Sequence, residues 1–556
     1  MSKSLQYFYM RRWMWAALVL FFVIFSLVPM FYELSRAGDL HPERYFELVH
    51  NFPTDYNFYL SRIREGREGA LTVQEKYTSE PHPGSYIQIM YLLMGKVSAW
   101  LNVPWPRSGD TYHAARIVLA VTLLFIIAYL VKSVFKKVLW QVISFCLAVA
   151  AGTWPILVFH AGEWRFGGYM PWWTIMDALQ RITFVPHMLA GQALIIFLLI
   201  AMSSADTMRR AGNWIFLGLL AFLLGVIYPP GLVFVGVVMG VYMGIRAVGG
   251  LRELREFWGM AIIGMISAPA LLYLSLALKV YPWKRLVDFA ILHPQPFQLW
   301  DYILAVGPLL PIGIIGGIWV IWEKKKKFYL FVSWVIAWAG LIIAFQYIPQ
   351  ESPLRFTEMM PQVPLAILSV YLLSSLSNVH DLWKKAAITV SAMFILLNLA
   401  QLYSSWRWQK EFLDQKIAAT QPLVPTGSYV MYPLKDMVGT MLFIQDHTSR
   451  DTVILSETTA GNYMPVYSGN TVYVGHANTV NTEQKELIVA NFFSGRMGPT
   501  KAKEFLETNN LHYIFFGPQE EDDLPAGRQA GDDDLSTVYP FLTEIYTQGL
   551  FHVYRW

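Results

Sequence analysis

The feature that most constrains this chain is its repeated run of about 20 apolar residues. The first, "WMWAALVLFFVIFSLVPMFY" at 13–32, follows Arg11 and Arg12. A helix of that length crosses ~30 Å of hydrocarbon. Within lipid, only a helix or a closed barrel satisfies its own backbone. The run is longer than a signal-peptide core and lacks a small-x-small cleavage site, so it reads as an uncleaved anchor. Further runs lie at 112–131, 138–159, 187–203, 213–229, 231–246, 258–279, 302–322, 328–347, 358–376 and 386–403, which makes eleven. Composition agrees, with 55% apolar and 15% charged residues, where a soluble domain carries about 25% charge. A net charge of +4 is too small to point to nucleic acid. The lone Cys146 excludes an intramolecular disulfide and a thiolate metal cluster.

Positive charge supplies the topology. With the N-terminus cytoplasmic, the inner segments are "MSKSLQYFYMRR", "VKSVFKK", "DTMRR", "IRAVGGLRELREF", "EKKKK" and "HDLWKK", which together hold 17 Lys and Arg. The outer segments are the loop 36–111, the loop 160–186, the "YPPG" turn at Tyr228–Gly231, 280–301, 348–357 and everything after about 404. Their charges are mixed in sign, as the positive-inside rule asks. The stretch 86–101 is short and contains Lys96, so it reads as an interfacial helix on the outer surface.

After Trp406 the pattern changes. "DTVILS", "TVYVGH", "HYIFFG" and "FHVYRW" read as strands, and "TEQKELIVANFF" and "KAKEFLETNN" as helices between them, which indicates an open α/β sheet. The acidic, Gly-containing stretch 519–536 reads as a mobile loop. The expected organisation is a membrane domain at 1–405, including both outer loops, and an extracytoplasmic α/β domain at 406–556.

The loops 36–111 and 160–186 hold 11 of the 21 acids before residue 405. "FPTDYNFYLSRIREGREG" places Asp55, Tyr56 and Tyr59 soon after the first span. Asp is a good helix cap, so Asp55 reads either as an N-cap or as a free carboxylate with Thr54 capping in its place. In the second outer loop, His160 and Glu163 are three apart, a spacing that suits two metal ligands on one helical turn. A pairing of Glu163 with Arg165 is the plainer alternative.

The segment "TDYNFYLSRIREGREG…YTSEPHPGSYIQIMYLLMGKVSAW…YHAARIVLAVTLLFIIAYLVK" resembles the first outer loop and second span of the GT-C membrane glycosyltransferases, in an architecture that covers the whole chain. The matching positions are Asp55, His82–Pro83, Gly95 and Arg116, and "SPLRFTEMMPQVPLAILSVYLL" resembles a late element of that family. The resemblance implies a polytopic α-helical protein of about eleven spans with a C-terminal α/β domain. It implies transfer of a sugar from a polyprenyl-phosphate-type carrier to a glycan, lipid or protein on the outer face of the cell membrane. Asp55 is then the general base and Glu163 a second acid, with Tyr56, Tyr59 and His82 near the substrate. Arg355, Lys284 and Arg285 would meet the carrier phosphate, because cations balance that charge strongly in a low dielectric. The plainer reading gives Arg355 an ion pair with Glu351 or Glu358, Lys284 and Arg285 an attraction to lipid headgroups, and His82 a loop role. A divalent cation, Mg²⁺ or Mn²⁺, is left open with His160 and Glu163 as ligands, although no DxD sequence stands in the second loop. The opposing readings are a transporter or flippase of lipid-linked glycans, or an inactive assembly factor of the same shape. Spans nearly free of acid favour the transferase.

Overall fold

The computed structural model describes residues 12–105, 109–170, 173–249, 254–294, 297–425, 431–523 and 534–556. The expected cytoplasmic segment before Arg12 and most of the acidic loop 519–536 lie outside these ranges. Two compact units emerge. Unit 1 comprises 1–29, 114–274 and 290–410; unit 2 comprises 30–113, 275–289 and 411–556.

Unit 1 is a set of apolar helices. Among the described residues of the whole chain, six helices are long and apolar enough to cross a membrane, or eight if two bent pairs each count as one span. Each of the eleven expected spans contains a helix, but in three of them, at Val138–Ala150, Ala211–Ile227 and Gln362–Leu376, it is a shorter apolar one. Three expectations change for identifiable reasons. The first span bends by 49° between Arg12–Ser26 and Val28–Ser35, where Pro29 removes a backbone donor. The span expected at 302–322 is broken by 90° between Leu299–Val306 and Leu309–Trp322. Gly307 sits at the corner with φ +88°, and a side-chain carbon placed on it would lie 2.1 Å from the Gly152 carbonyl, so only glycine fits. The helix in the span expected at 138–159 stops at Ala150, with Ala151 leaving helical geometry at ψ 124°, and Pro155 disfavours a return to helix at Trp154. The chain continues instead as a hairpin of β1 (Ile156–His160) and β2 (Glu163–Gly167).

The last apolar helix, Asp381–Ala418, runs unbroken for 38 residues. At 1.5 Å per residue that is about 57 Å, well beyond a hydrocarbon core. The change in composition seen near Trp406 therefore falls inside one helix.

In unit 2 a mixed five-stranded sheet forms from β3 (Val453–Leu455), β4 (Thr471–Val472), β5 (Tyr513–Phe516), β6 (Thr543–Gln548) and β7 (Phe551–Arg555), in the order β4-β3-β5-β7-β6. β3 pairs parallel with β4 and β5, whereas β7 pairs antiparallel with β5 and β6. The helices Thr482–Phe493 and Pro499–Thr508 supply Val489, Phe492, Phe493 and Leu506 to a core shared with Ile514, Tyr539 and Tyr554. Sequence reading omits β6 because it is an edge strand whose residues are mostly exposed and polar.

The first outer loop also folds within unit 2. Helix Pro53–Arg67 packs on helix Ile89–Trp100, the one expected at the outer surface. Contact is backbone to backbone. A side-chain carbon placed on Gly66 would lie 1.9 Å from the Leu92 carbonyl, and one on Gly95 would lie 1.9 Å from the Ile63 carbonyl. Beneath them Arg62 is fully buried, 2.8 Å from Glu75 and 3.5 Å from Glu65.

Candidate active site

Helix Pro53–Arg67 begins with Phe52 at the N-cap, in extended geometry and with no side-chain capping bond, and with Pro at its start. A proline there loses nothing, since the first helical donors are unsatisfied in any case. Neither Thr54 nor Asp55 is the cap. Asp55 falls in the first turn, where the helix dipole favours a negative charge. Its side chain is 47% exposed and lies 3.5 Å from Nε2 of His476.

His476 is buried just beyond β4. Its ring stacks on Phe58 with centroids 4.6 Å apart and planes 13° from parallel, and is tilted against Tyr77 at 5.4 Å. The Asn478 N–H donates to its Nδ1 at 3.1 Å. Helix Thr458–Tyr467 sits beside this loop at close range. A side-chain carbon on Gly461 would come within 2.0 Å of the Val474 carbonyl. Asn462 of that helix accepts a bond from Asn57 at 2.9 Å and donates to the Thr54 carbonyl at 3.3 Å, which pins the turn that carries Asp55. His476 and Asn478 stand past the end of β4, where open α/β sheets hold ligands. The signal missing from residue order is the packing of a loop more than 400 residues away onto the helix of Asp55.

The two tyrosines next to Asp55 differ. Tyr56 is buried, and its hydroxyl lies 3.1 Å from His113 Nε2. Tyr59 is partly exposed and stacks on Tyr91 at 4.3 Å. His82 spends both ring nitrogens on backbone, with Nε2 accepting from the Glu75 N–H at 2.9 Å and Nδ1 lying 2.7 Å from the Glu80 carbonyl. A ring so occupied shapes its loop. Arg285 is likewise committed, donating to the Ala477 carbonyl at 2.9 Å and to Glu483 at 2.6 Å while 5% of its side chain is exposed. Lys284 remains 43% exposed, 3.6 Å from Asp288 and 3.4 Å from the Tyr281 hydroxyl. That hydroxyl, then Asp288, holds its ammonium pKa above the ordinary lysine value.

Burial sets the charge state elsewhere in the unit. Glu65 is pushed from 4.5 up to about 7 by its removal from water, although Arg62 opposes the change. Glu520, fully buried against the Glu457 and Gly517 amides, is raised in the same way to about 8.

Within unit 1, Glu163 stands on β2 opposite His160 on β1, so the pair is not on a helical turn. Its carboxylate is clasped by Arg165 at 2.5 Å and Arg407 at 2.9 Å. His160 leans on Trp408 at 4.7 Å. Phe166 and Ser404 exchange hydrogen bonds that tie the hairpin to the long helix. A carboxylate held by two guanidiniums is a poor ligand, and among the described residues no three His, Cys, Asp or Glu side chains converge to hold a metal. The divalent cation therefore does not fit these residues. Arg355 is 43% exposed, with Glu351 at 3.5 Å and the fully buried Glu358 at 3.6 Å. Tyr228 donates its hydroxyl to Glu358.

No protein-family model and no curated protein matches the sequence. Solved structures do match the fold. The oligosaccharyltransferase AglB of Archaeoglobus fulgidus, in complex with an inhibitory peptide and a dolichol-phosphate, superposes with a TM-score of 0.54 at 11% identity, over 96% of this chain and 72% of that one. The same organism's oligosaccharyltransferase in complex with Zn and sulfate gives 0.51 at 12% identity, over 90% and 67%. The mycobacterial arabinofuranosyltransferase AftD gives 0.53 at 11% identity, over 99% of this chain and 42% of that one. These are GT-C glycosyltransferases, and the GT-C fold is the fold of this chain: a polytopic helical membrane protein with a small C-terminal sheet region.

Proposed function

We propose that the protein is a membrane glycosyltransferase that moves a sugar from a polyprenyl-phosphate-type carrier to a glycan, lipid or protein acceptor. Transfer takes place on the outer face of the cell membrane and inverts the anomeric carbon. The N-terminus is cytoplasmic and the C-terminal region extracytoplasmic. The observation that carries this reading is a GT-C fold whose first outer loop presents a half-exposed carboxylate that caps nothing. The dolichol-phosphate in the AglB structure supports a lipid carrier. The transporter reading is not favoured, since the solved neighbours are transferases.

The chemistry asks for few groups. The departing phosphate is a stable anion, so no general acid is required. Asp55 accepts the proton of the acceptor hydroxyl as its oxygen attacks the anomeric carbon, and the bond to the phosphate oxygen breaks with its electron pair. Lys284, a half-exposed cation of the same unit as Asp55, is the group assigned to carrier phosphate. Arg285 is a strut, and Glu163 orders its hairpin. A cell line lacking the protein should accumulate an undischarged lipid-linked sugar and lose one surface glycan, both read by mass spectrometry. Restoring the wild type should reverse the change. Asp55→Asn at equal abundance should transfer ~10²–10⁴-fold less, and full restoration by that variant refutes the assignment.

A further inference from the structure

We propose that His476 is a positioning residue for Asp55, so that the C-terminal α/β region completes a reactive carboxylate supplied by the first outer loop. This rests on the transferase reading above. The ring's own hydrogen bonds define its role. Because Nδ1 accepts the Asn478 N–H, the neutral imidazole carries its proton on Nε2, and Nε2 is the atom 3.5 Å from Asp55 Oδ1. A donor therefore faces the carboxylate. Catalytic hydrogen bonds are often this long before substrate arrives and tighten afterwards.

The ring has little freedom to turn away. Phe58, which stacks on it, lies three residues after Asp55, and residues at that spacing share a helix face. The face that presents the carboxylate thus also holds the imidazole. On its other side the loop is fastened to the segment at Tyr77–Thr78, where Thr479 donates to the Tyr77 carbonyl at 2.6 Å and the Val480 N–H to Thr78 at 3.2 Å. A histidine buried among aromatic rings needs partners for both nitrogens. The backbone serves Nδ1, and Asp55 Oδ1, 3.5 Å away, is the partner within reach of Nε2.

Function follows from which oxygen is left. With Oδ1 turned to His476, Oδ2 is the oxygen left for the acceptor. The acceptor's proton moves to Oδ2 as its oxygen bonds to the anomeric carbon, the bond from that carbon to phosphate breaks, and the phosphate leaves with the electron pair. His476 keeps its proton throughout. It contributes orientation, and a misplaced base costs up to ~10²-fold in rate.

The test uses the same deletion cells, which supply their own donor and acceptor, with glycan product measured per amount of protein and the unfolding midpoint taken in detergent. His476→Phe keeps the aromatic stack but removes the donor, and should lower product formation ~10- to 100-fold with the midpoint unchanged. His476→Gln retains a side-chain N–H and should keep most of the activity. A wild-type rate in the Phe variant beside an inactive Asp55→Asn overturns this assignment while leaving the transferase reading intact. Equal losses in the Phe and Gln variants show that the donor is irrelevant and overturn it as well. Full activity in Asp55→Asn removes the base, and with it the need for a residue to position it.

Discussion

Substituting Gly95→Ala tests the frame on which the candidate base stands. The added carbon would lie 1.9 Å from the Ile63 carbonyl oxygen, where ordinary contact begins at 3.4 Å. The obstacle is backbone, so no side chain can swing aside. Helices Pro53–Arg67 and Ile89–Trp100 must separate by roughly 1.5 Å, pulling apart Ile63 and Leu92, both fully buried. Overpacking of this kind costs about 1–3 kcal/mol, sometimes more. Gly66→Ala meets the Leu92 carbonyl at the same 1.9 Å and should cost a similar amount. The two glycines relieve the same contact, so the double variant should lose less than the sum of the singles, because helices already parted admit the second carbon more cheaply. Purified protein in detergent, unfolded by heat or denaturant, measures all three. Transfer should fall with stability, since Asp55 rides on the displaced helix. A Gly95→Ala protein within about 0.5 kcal/mol of wild type, or strictly additive losses, would refute the reasoning.

Two further outcomes follow from the buried charges of unit 2. Glu75→Ala leaves the Arg62 guanidinium without its nearest carboxylate at full burial and should cost about 3–5 kcal/mol in denaturant unfolding, whereas Glu75→Gln, which keeps an acceptor oxygen, should cost less. Stability should also fall as pH rises from about 5 to about 8, because Glu65 and Glu520 hold protons in the folded chain that the unfolded chain has released. Their contribution is fully present below 4.5 and is lost as pH passes through about 7 for Glu65 and about 8 for Glu520. For Glu65 the loss is on the order of 3 kcal/mol, and denaturant midpoints at pH 5.5 and 8.5 that do not differ would contradict it.

Much of the architecture was legible from residue order. Apolar run length is a local property, and lipid leaves a spanning backbone almost no alternative to a helix, so every expected span contains a helix. The strands of the C-terminal region were readable for the same reason, from short apolar stretches between helical ones, except for polar β6. The breaks at Gly307 and after Ala150 were less visible. A single glycine or proline inside an apolar run permits a bend but does not compel one, and that position 307 must be glycine follows only from the nearby Gly152 carbonyl.

The candidate site divides along the same line. Residue order alone singled out Asp55, because a carboxylate shortly after an apolar span is a local fact. Order could not say that Pro53 would shift the cap to Phe52, that Glu163 would be held by Arg407, or that Arg285 would be consumed by Glu483. Nor could it bring His476 to the carboxylate, across more than 400 residues. Those outcomes depend on which distant backbones approach closely enough for a 3 Å interaction. Only the folded chain, through packing as tight as Gly461 on Val474, decides that.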